Sequence, residues 1–429
     1  MFMWSASIPF IFCKLATLFT QKAHMDLYAY LIPYGLEWLN LIVRWLHIIT
    51  GIAWIGASFY FVWLDNSIRP PAPGSELAKK GVSGELWAVH GGGFYNPQKY
   101  LVAPAELPKE LHWFKWEAYS TWLSGFALLT IAYYFNAQAM MVDKSVADIT
   151  SWQAVGIGIG TLIVGWTVYD LLCRSPLAKR ELWFGVVVFA LIVAVAYGLT
   201  HVLSGRAAYI HVGAMIGTIM VANVLMLIIP GQRKMVEAMQ AGRLPDPIHG
   251  QKAKQRSVHN NYFTLPVLFI MISNHYAMTY RNDRAWLVLA FIMAAGVFIR
   301  HFFNLRHKGR VEWRYPAVGV ALLLAVAVAI APARPAAGVA VADPAAQFAQ
   351  VRGVIAQRCV ACHSAHPTQA GFATAPLGVT FDNADQIHQN AEKIYKQAVQ
   401  LKAMPLANLT NMSDAERAQI GAWFEAGAK

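Results

Sequence analysis

The chain has 429 residues, 57% hydrophobic and only 14% charged, a balance too apolar for an ordinary soluble protein. Its net charge of +12 would suit a nucleic-acid binder, but the excess lies in short loops flanking apolar runs, so no nucleic-acid partner is expected. Of the four cysteines, Cys13 and Cys173 are far apart in sequence and the other two share one motif, which excludes a disulfide framework.

Residues 1–25 read as an uncertain N-terminal extension: an apolar stretch broken by Lys14, signal-like in character, with Met25 as an alternative start. Beyond it, runs of about 20 apolar residues mark eight candidate membrane spans. They fall at 37–64, 118–137, 152–172, 182–202, 208–230, 262–280, 285–303 and 315–332. All are expected to be helices, because lipid offers open backbone no hydrogen-bond partner. Gly156 and Gly160 in the third span form a small-residue pair suited to helix packing.

The long insertion at 66–117 opens with a proline-rich run, Arg69 to Gly74, and then becomes dense in aromatic residues, glycine and histidine: Trp87 to Tyr95, and Leu111 to Glu117. This composition predicts a folded loop that covers something. The glycines at 91–93 lack the strand-then-helix setting of a phosphate loop and suit either a tight turn or a turn that contacts substrate. At the entry to the sixth span, His259, Asn260, Asn261 and Tyr262 offer donors and acceptors for a planar, polar heterocycle, or helix caps in the case of the asparagines. His90, His259, Asn261 and Tyr262 are the candidate catalytic residues. Residues 333–343 form a small-residue linker.

The C-terminal segment carries the most specific motif, Cys359-Val360-Ala361-Cys362-His363, the C-x-x-C-H attachment sequence of a c-type haem. Asp343-Pro344 reads as the N-cap and first residue of a helix. Phe348, Val351, Ile355, Cys359 and Cys362 recur at helical spacing, which predicts one helix with both thiols on its buried face. Met404-Pro405 follows in a loop, and Ser413 to Glu416 is a capping box before a last helix with Ile420, Trp423 and Phe424 on one side. This layout resembles a class I cytochrome c domain over residues 344–429. The resemblance implies haem c, covalently held by Cys359 and Cys362, with His363 and Met404 as the iron's axial ligands and Met412 as the competing methionine.

Haem c is attached outside the bacterial cytoplasm, so the segment after the eighth span should be periplasmic. The loops that this parity makes cytoplasmic hold nineteen lysines and arginines. Those on the other side hold four, Lys144, Arg206, Arg281 and Arg284. The expected fold class is therefore all-α: a bacterial inner-membrane bundle of eight spans, then a small periplasmic cytochrome c domain. This topology places His47, His201, His211 and His275 at mid-depth or in the periplasmic half, where paired imidazoles could hold a haem b. It places His90, His112, His249, His259, His301 and His307 towards the cytoplasm. Arg44, one turn before His47, is expected to pair with a carboxylate or a haem propionate.

The segments Glu37-Trp38 through Ile55-Gly56, Glu85 to Tyr95, Leu111 to Glu117 and Ser257 to Tyr262 resemble the bacterial membrane urate oxidase family, also called membrane urate hydroxylase. The resemblance covers about residues 26–429 and implies a membrane domain at 26–332 joined through 333–343 to the cytochrome. It also implies oxidation of urate to 5-hydroxyisourate; with no flavin or nicotinamide motif in the chain, the electrons are expected to pass through an intramembrane haem b to haem c and on to a respiratory acceptor such as a terminal cytochrome oxidase, without peroxide. On this reading urate is held by loop 66–117 together with residues 259–262. Two other readings remain open: an electron-transfer or anchor subunit that serves a separate dehydrogenase, and an oxidase of another substrate such as a quinol.

Overall fold

The computed structural model describes residues 24–331 and 343–428, except 370, 371 and 373. The N-terminal extension to residue 23, Cys13 within it, and the linker at 333–342 lie outside the described residues.

Each of the eight apolar runs falls on a helix. These are α1 (His24–Ser67), α2 (Trp116–Leu129), α3 (Ser151–Arg174), α4 (Glu181–Thr200), and α5 (Gly205–Ala222) continued by α6 (Ile229–Gln240). They are completed by α7 (Pro247–Ile272), α8 (Ala285–His307) and α9 (Arg314–Ala329). Among the described residues five stretches, within α1, α3, α4, α5 to α6, and α8, are long and apolar enough to cross a membrane, by length and composition. α9 is apolar but shorter. The sixth run differs most from expectation. Its helix begins at Pro247 and stops at Ile272, where a 3₁₀ turn at Ser273–His275 and a short helix at Ala277–Tyr280 replace the last stretch.

α5 is the hub. It is buried on nearly every side and packs against α2, α3, α4 and α7, as an apolar helix without a polar face must. Close approach depends on glycine at particular points. A Cβ on Gly158 would lie 2.4 Å from the His211 ring, one on Gly165 would lie 2.4 Å from Met215, and one on Gly213 would lie 2.5 Å from Ile270. Gly156 and Gly160, the pair expected to pack, face open space, because a helix shows neighbouring residues to different sides. Within the described bundle two π turns interrupt the helical ladder, Thr130–Tyr134 after α2 and Asn223–Ile228 between α5 and α6.

The purely α-helical expectation misses the insertion after α1, which folds as two small antiparallel sheets. β1 (Val82–Glu85) pairs with β4 (Gln98–Tyr100), and β2 (Ala88–His90) pairs with β3 (Gly93–Tyr95). Gly91 (φ 58) and Gly92 (φ 80) make the two-residue turn of the inner hairpin, a conformation that glycine adopts at least cost. The triple glycine is thus a tight turn. Lys99 of β4 and Lys254 of α7 both pair with Asp65 of α1, and so fasten the hairpins to the bundle.

Residues 343–428 carry a separate hydrophobic cluster built on Val351, Ile355, Ile387, Ile394, Ile420 and Trp423. Asp343 caps α10 (Pro344–Arg358), accepting from the Ala345 and Ala346 amides. The Ser413/Glu416 capping box opens α11 (Asp414–Glu425). α10 ends at Arg358, however, so the two thiols do not share its face. Cys359 to His363 form a turn in which the Cys362 and His363 amides donate to the Cys359 carbonyl.

Candidate functional site

Between α1, residues 102–117, the π turn after α5, α6 and α7 lies a cavity of about 460 Å³. Trp54, Phe61, Trp113 and Phe114 give it aromatic walls, and His112, Glu117, Gln232, Ser257 and Asn260 give it hydrogen-bonding groups. Apolar walls with a few polar groups on them form the usual surroundings of a small planar ligand.

One wall is held by a buried network. Asp170 of α3 accepts from Arg256 of α7 at 2.6 Å, and Arg256 donates to Asn223 Oδ1 at 3.1 Å. Asn223 Nδ2 in turn donates to Asn260 Oδ1 at 2.8 Å and to the Tyr169 hydroxyl at 3.1 Å. Asn260 Nδ2 donates to the Met220 carbonyl. Asn260 therefore faces the cavity with its orientation fixed by a chain of partners that ends in a paired charge.

The residues singled out from sequence are not brought together. His90 ends an exposed hairpin strand and is absent from the cavity wall. Four consecutive residues of a helix point about 100° apart, and those at 259–262 separate accordingly. His259 bonds the Tyr169 hydroxyl at 2.8 Å and stacks on Phe184. Asn260 meets the cavity. Asn261 takes the Arg300 guanidinium at 2.5 Å and donates to Asn304, while Tyr262 bonds His301 at 2.7 Å. Of the folded insertion, its last part, residues 102–117, supplies the lining. Glu117 and Ser257 stand at the edges of two segments singled out from sequence, 111–117 and 257–262, whereas Gln232, Asn223, Arg256 and Asp170 carried no local motif. The association of these four is tertiary; the pointers to this region were the aromatic residues around His112 to Trp116 and the polar run at 259–262, of which Asn260 lines the cavity.

The four histidines considered for haem b also go separate ways. His47 Nδ1 bonds the Thr121 carbonyl and the Ser124 hydroxyl. His211 Nδ1 bonds the Ala207 carbonyl, and its Nε2 bonds the Tyr134 hydroxyl at 3.3 Å. His201 turns back to the Tyr197 carbonyl, and His275 is exposed in the 3₁₀ turn after α7. His47, like His363, has Nδ1 on a backbone carbonyl, whereas both ring nitrogens of His211 have partners. Arg44 donates to Asn40 Oδ1, one turn back on α1.

An aromatic series leads away from the cavity. Trp54 and Trp113 of the lining join a small core with Trp122. Trp122 stacks on Phe126 at 5.4 Å, Phe126 meets Tyr134 at 6.4 Å, and Tyr134 stacks on His211 at 5.7 Å. His211 is six residues from the start of α5 at Gly205. That end of the bundle, with Met140, Gly205, Tyr280 and Arg281, packs against Ala403, Leu406 and Ala407. Arg281 pairs with Asp143 and donates to the Lys402 carbonyl, which ties down the loop that carries Met404.

The C-x-x-C-H residues suit covalent haem. Both thiols are free of disulfides, and His363 Nδ1 is held by the Val379 carbonyl at 2.9 Å, which leaves Nε2 for a metal. Burial next to Cys362 pushes the Cys359 thiol up to about 12. Met404 is half-buried, with its carbonyl held by Arg417 at 2.7 Å. Met412 belongs to the hydrophobic core, and its backbone is clasped on both sides by Asn408.

Comparison with known families decides the affiliation of the bundle. The model of the family described as urate oxidase N-terminal matches residues 33–331, which include every residue that lines the cavity. The chain belongs to the urate oxidase N-terminal family. Membership makes it an oxidoreductase-type chain related to urate oxidation, and the match ends where the linker begins. No curated protein and no solved structure matches the chain.

Proposed function

We propose that this chain is a membrane-bound urate oxidoreductase that binds urate in the cavity beside Glu117 and Asn260. Urate is converted there to 5-hydroxyisourate, and the electrons leave through a C-terminal cytochrome c domain. The single observation that carries this reading is the cavity itself. It lies within the urate oxidase N-terminal region, has aromatic walls for a purine ring, and has the fixed Asn260 amide and the Ser257 hydroxyl for its edges.

The aromatic rings fit the two faces of a planar heterocycle. Asn260, immobilised by Asn223 and Met220, and Ser257 and Gln232 fit its N–H and C=O groups.

The bundle reads as eight spans with the haem c segment on the periplasmic side, as argued from the basic residues of the loops. The cavity and the residues that touch the Met404 loop lie at opposite ends of α5. Met220 and Gly205 are separated by about 22 Å along the helix. The series Trp122, Phe126, Tyr134 and His211 crosses this interval, which supports electron transfer from cavity to cytochrome. Haem c, when attached at Cys359 and Cys362, would supply a one-electron acceptor with an axial His363 and Met404 pair. This chain's contribution there is to fix the His363 ring through Val379 and the Met404 loop through Arg417 and Arg281.

Equilibrium dialysis of labelled urate against the full-length protein tests the assignment. Wild type is expected to bind one urate, and Trp113→Ala to bind it about fivefold to a hundredfold more weakly, since base stacking on an aromatic side chain contributes about 1–3 kcal/mol. Equal binding by both proteins would contradict it.

A further inference from the structure

We infer that Glu117 is the catalytic proton acceptor for oxidation of the heterocycle in the cavity. The inference rests on the urate reading above and goes beyond it in assigning the proton. Glu117 lines the cavity, and its Oε2 is buried without a hydrogen-bond partner among the described residues. A buried carboxylate oxygen without a donor is costly, so a site that keeps one is arranged to meet a donor that arrives with the ligand. The four other side-chain atoms in the same condition belong to Tyr133, Asn274, Arg300 and His307, none of which lines the cavity. Glu117 also sits in the first turn of α2, where the helix dipole favours a negative charge. Its backbone is tied in place by the Thr121 hydroxyl, which donates to the Glu117 carbonyl.

The remaining groups fit the role less well. Asn260, Gln232 and Ser257 have no basic atom, and His112 lies in an irregular segment with its ring edge-on to Phe114. Glu117 alone combines a free lone pair, a fixed backbone and a place in the wall.

The urate monoanion loses two electrons, one to each of two equivalents of a haem-type one-electron acceptor, and one ring N–H proton to the Glu117 carboxylate. The N–H bond breaks, a Glu O–H bond forms, and a neutral dehydrourate remains. Water then adds, its oxygen forming the new bond to C5 and one of its hydrogens passing to a ring nitrogen, which gives 5-hydroxyisourate. Glu117 releases its proton to solvent, so each turnover consumes one water and yields one proton and two electrons from the monoanion.

The charge of Glu117 makes the test directional. A carboxylate beside an anionic ligand opposes binding, so neutral glutamine at this position should bind urate as tightly as wild type or more tightly, and still be unable to take the proton. Glu117→Gln and Glu117→Asp are compared with wild type as full-length, haem-loaded proteins. Urate affinity is measured by equilibrium dialysis and turnover by reduction of added cytochrome c. We expect E117Q to keep or improve affinity while kcat falls about a hundredfold or more, and E117D to recover part of the rate. E117Q with kcat within threefold of wild type overturns the assignment and leaves the cavity reading intact. E117Q that no longer binds urate also overturns it, by making Glu117 a binding group. Wild type that binds no urate overturns the cavity reading and this inference with it.

Discussion

Asp170 and Arg256 show how a single pair can set the shape of a site that neither residue touches. Their side chains meet at 2.6 Å with the Arg256 side chain only 5% exposed, and Arg256 passes the constraint through Asn223 to Asn260 in the cavity wall. Removing one member of such a pair leaves a buried charge alone, at a cost of about 3–5 kcal/mol. Asp170→Asn should therefore lower the stability of the detergent-solubilised protein by about 3 kcal/mol and weaken urate binding, as read by thermal unfolding and dialysis. Unchanged binding would detach the network from the site. This pair was invisible in the sequence because its members lie 86 positions apart and neither belongs to a motif. By contrast Cys359, Cys362 and His363 were legible at once, because the chemistry of a covalent haem needs them adjacent. For the second axial ligand, Met404→Ala should shift the haem c reduction potential, and a potential that stays put would transfer the role to Met412.

At the scale of elements, local rules read well and long-range ones did not. The Ser413 capping box and the Asp343 cap were plain in the sequence because a cap depends on residues three apart. The fan of residues 259–262 around α7 follows from helical geometry, but which of them would meet the cavity depended on neighbours far along the chain. The two hairpins were missed because their strands are three or four residues long and carry no sustained alternation. α11 also gives a pH prediction. The Ser413 amide first, then Arg358, hold the Glu416 carboxyl below its ordinary value of 4.5. A carboxylate held low stabilises the fold fully above its unfolded value, and that contribution is lost as pH falls through the lowered folded value. Acid unfolding of residues 343–428 in the full-length protein should thus be shallower in Glu416→Gln than in wild type. Identical acid profiles would rule out the contribution. Ser413→Ala should cost about 1 kcal/mol at neutral pH.

For the whole molecule, the arrangement joins a cavity at one end of α5 to a docked loop at the other. Arg281 holds that contact by bonding both Asp143 and the Lys402 carbonyl. Arg281→Ala leaves Asp143 buried without its cation and frees the loop, at about 3 kcal/mol. Proteolysis within residues 402–407 should quicken as a result. The order of the helices was readable from apolar runs alone, since eight of them fall on eight helices. The place of the cavity was not, because it forms where α1, residues 102–117, α6 and α7 converge. The central claim, that urate oxidised in the bundle sends its electrons to the C-terminal haem, is tested most directly by adding urate anaerobically to the oxidised full-length protein and recording the haem spectrum. Two haems c should become reduced per urate consumed, with 5-hydroxyisourate formed and no peroxide. A haem that stays oxidised with urate but is reduced by a quinol would contradict the account.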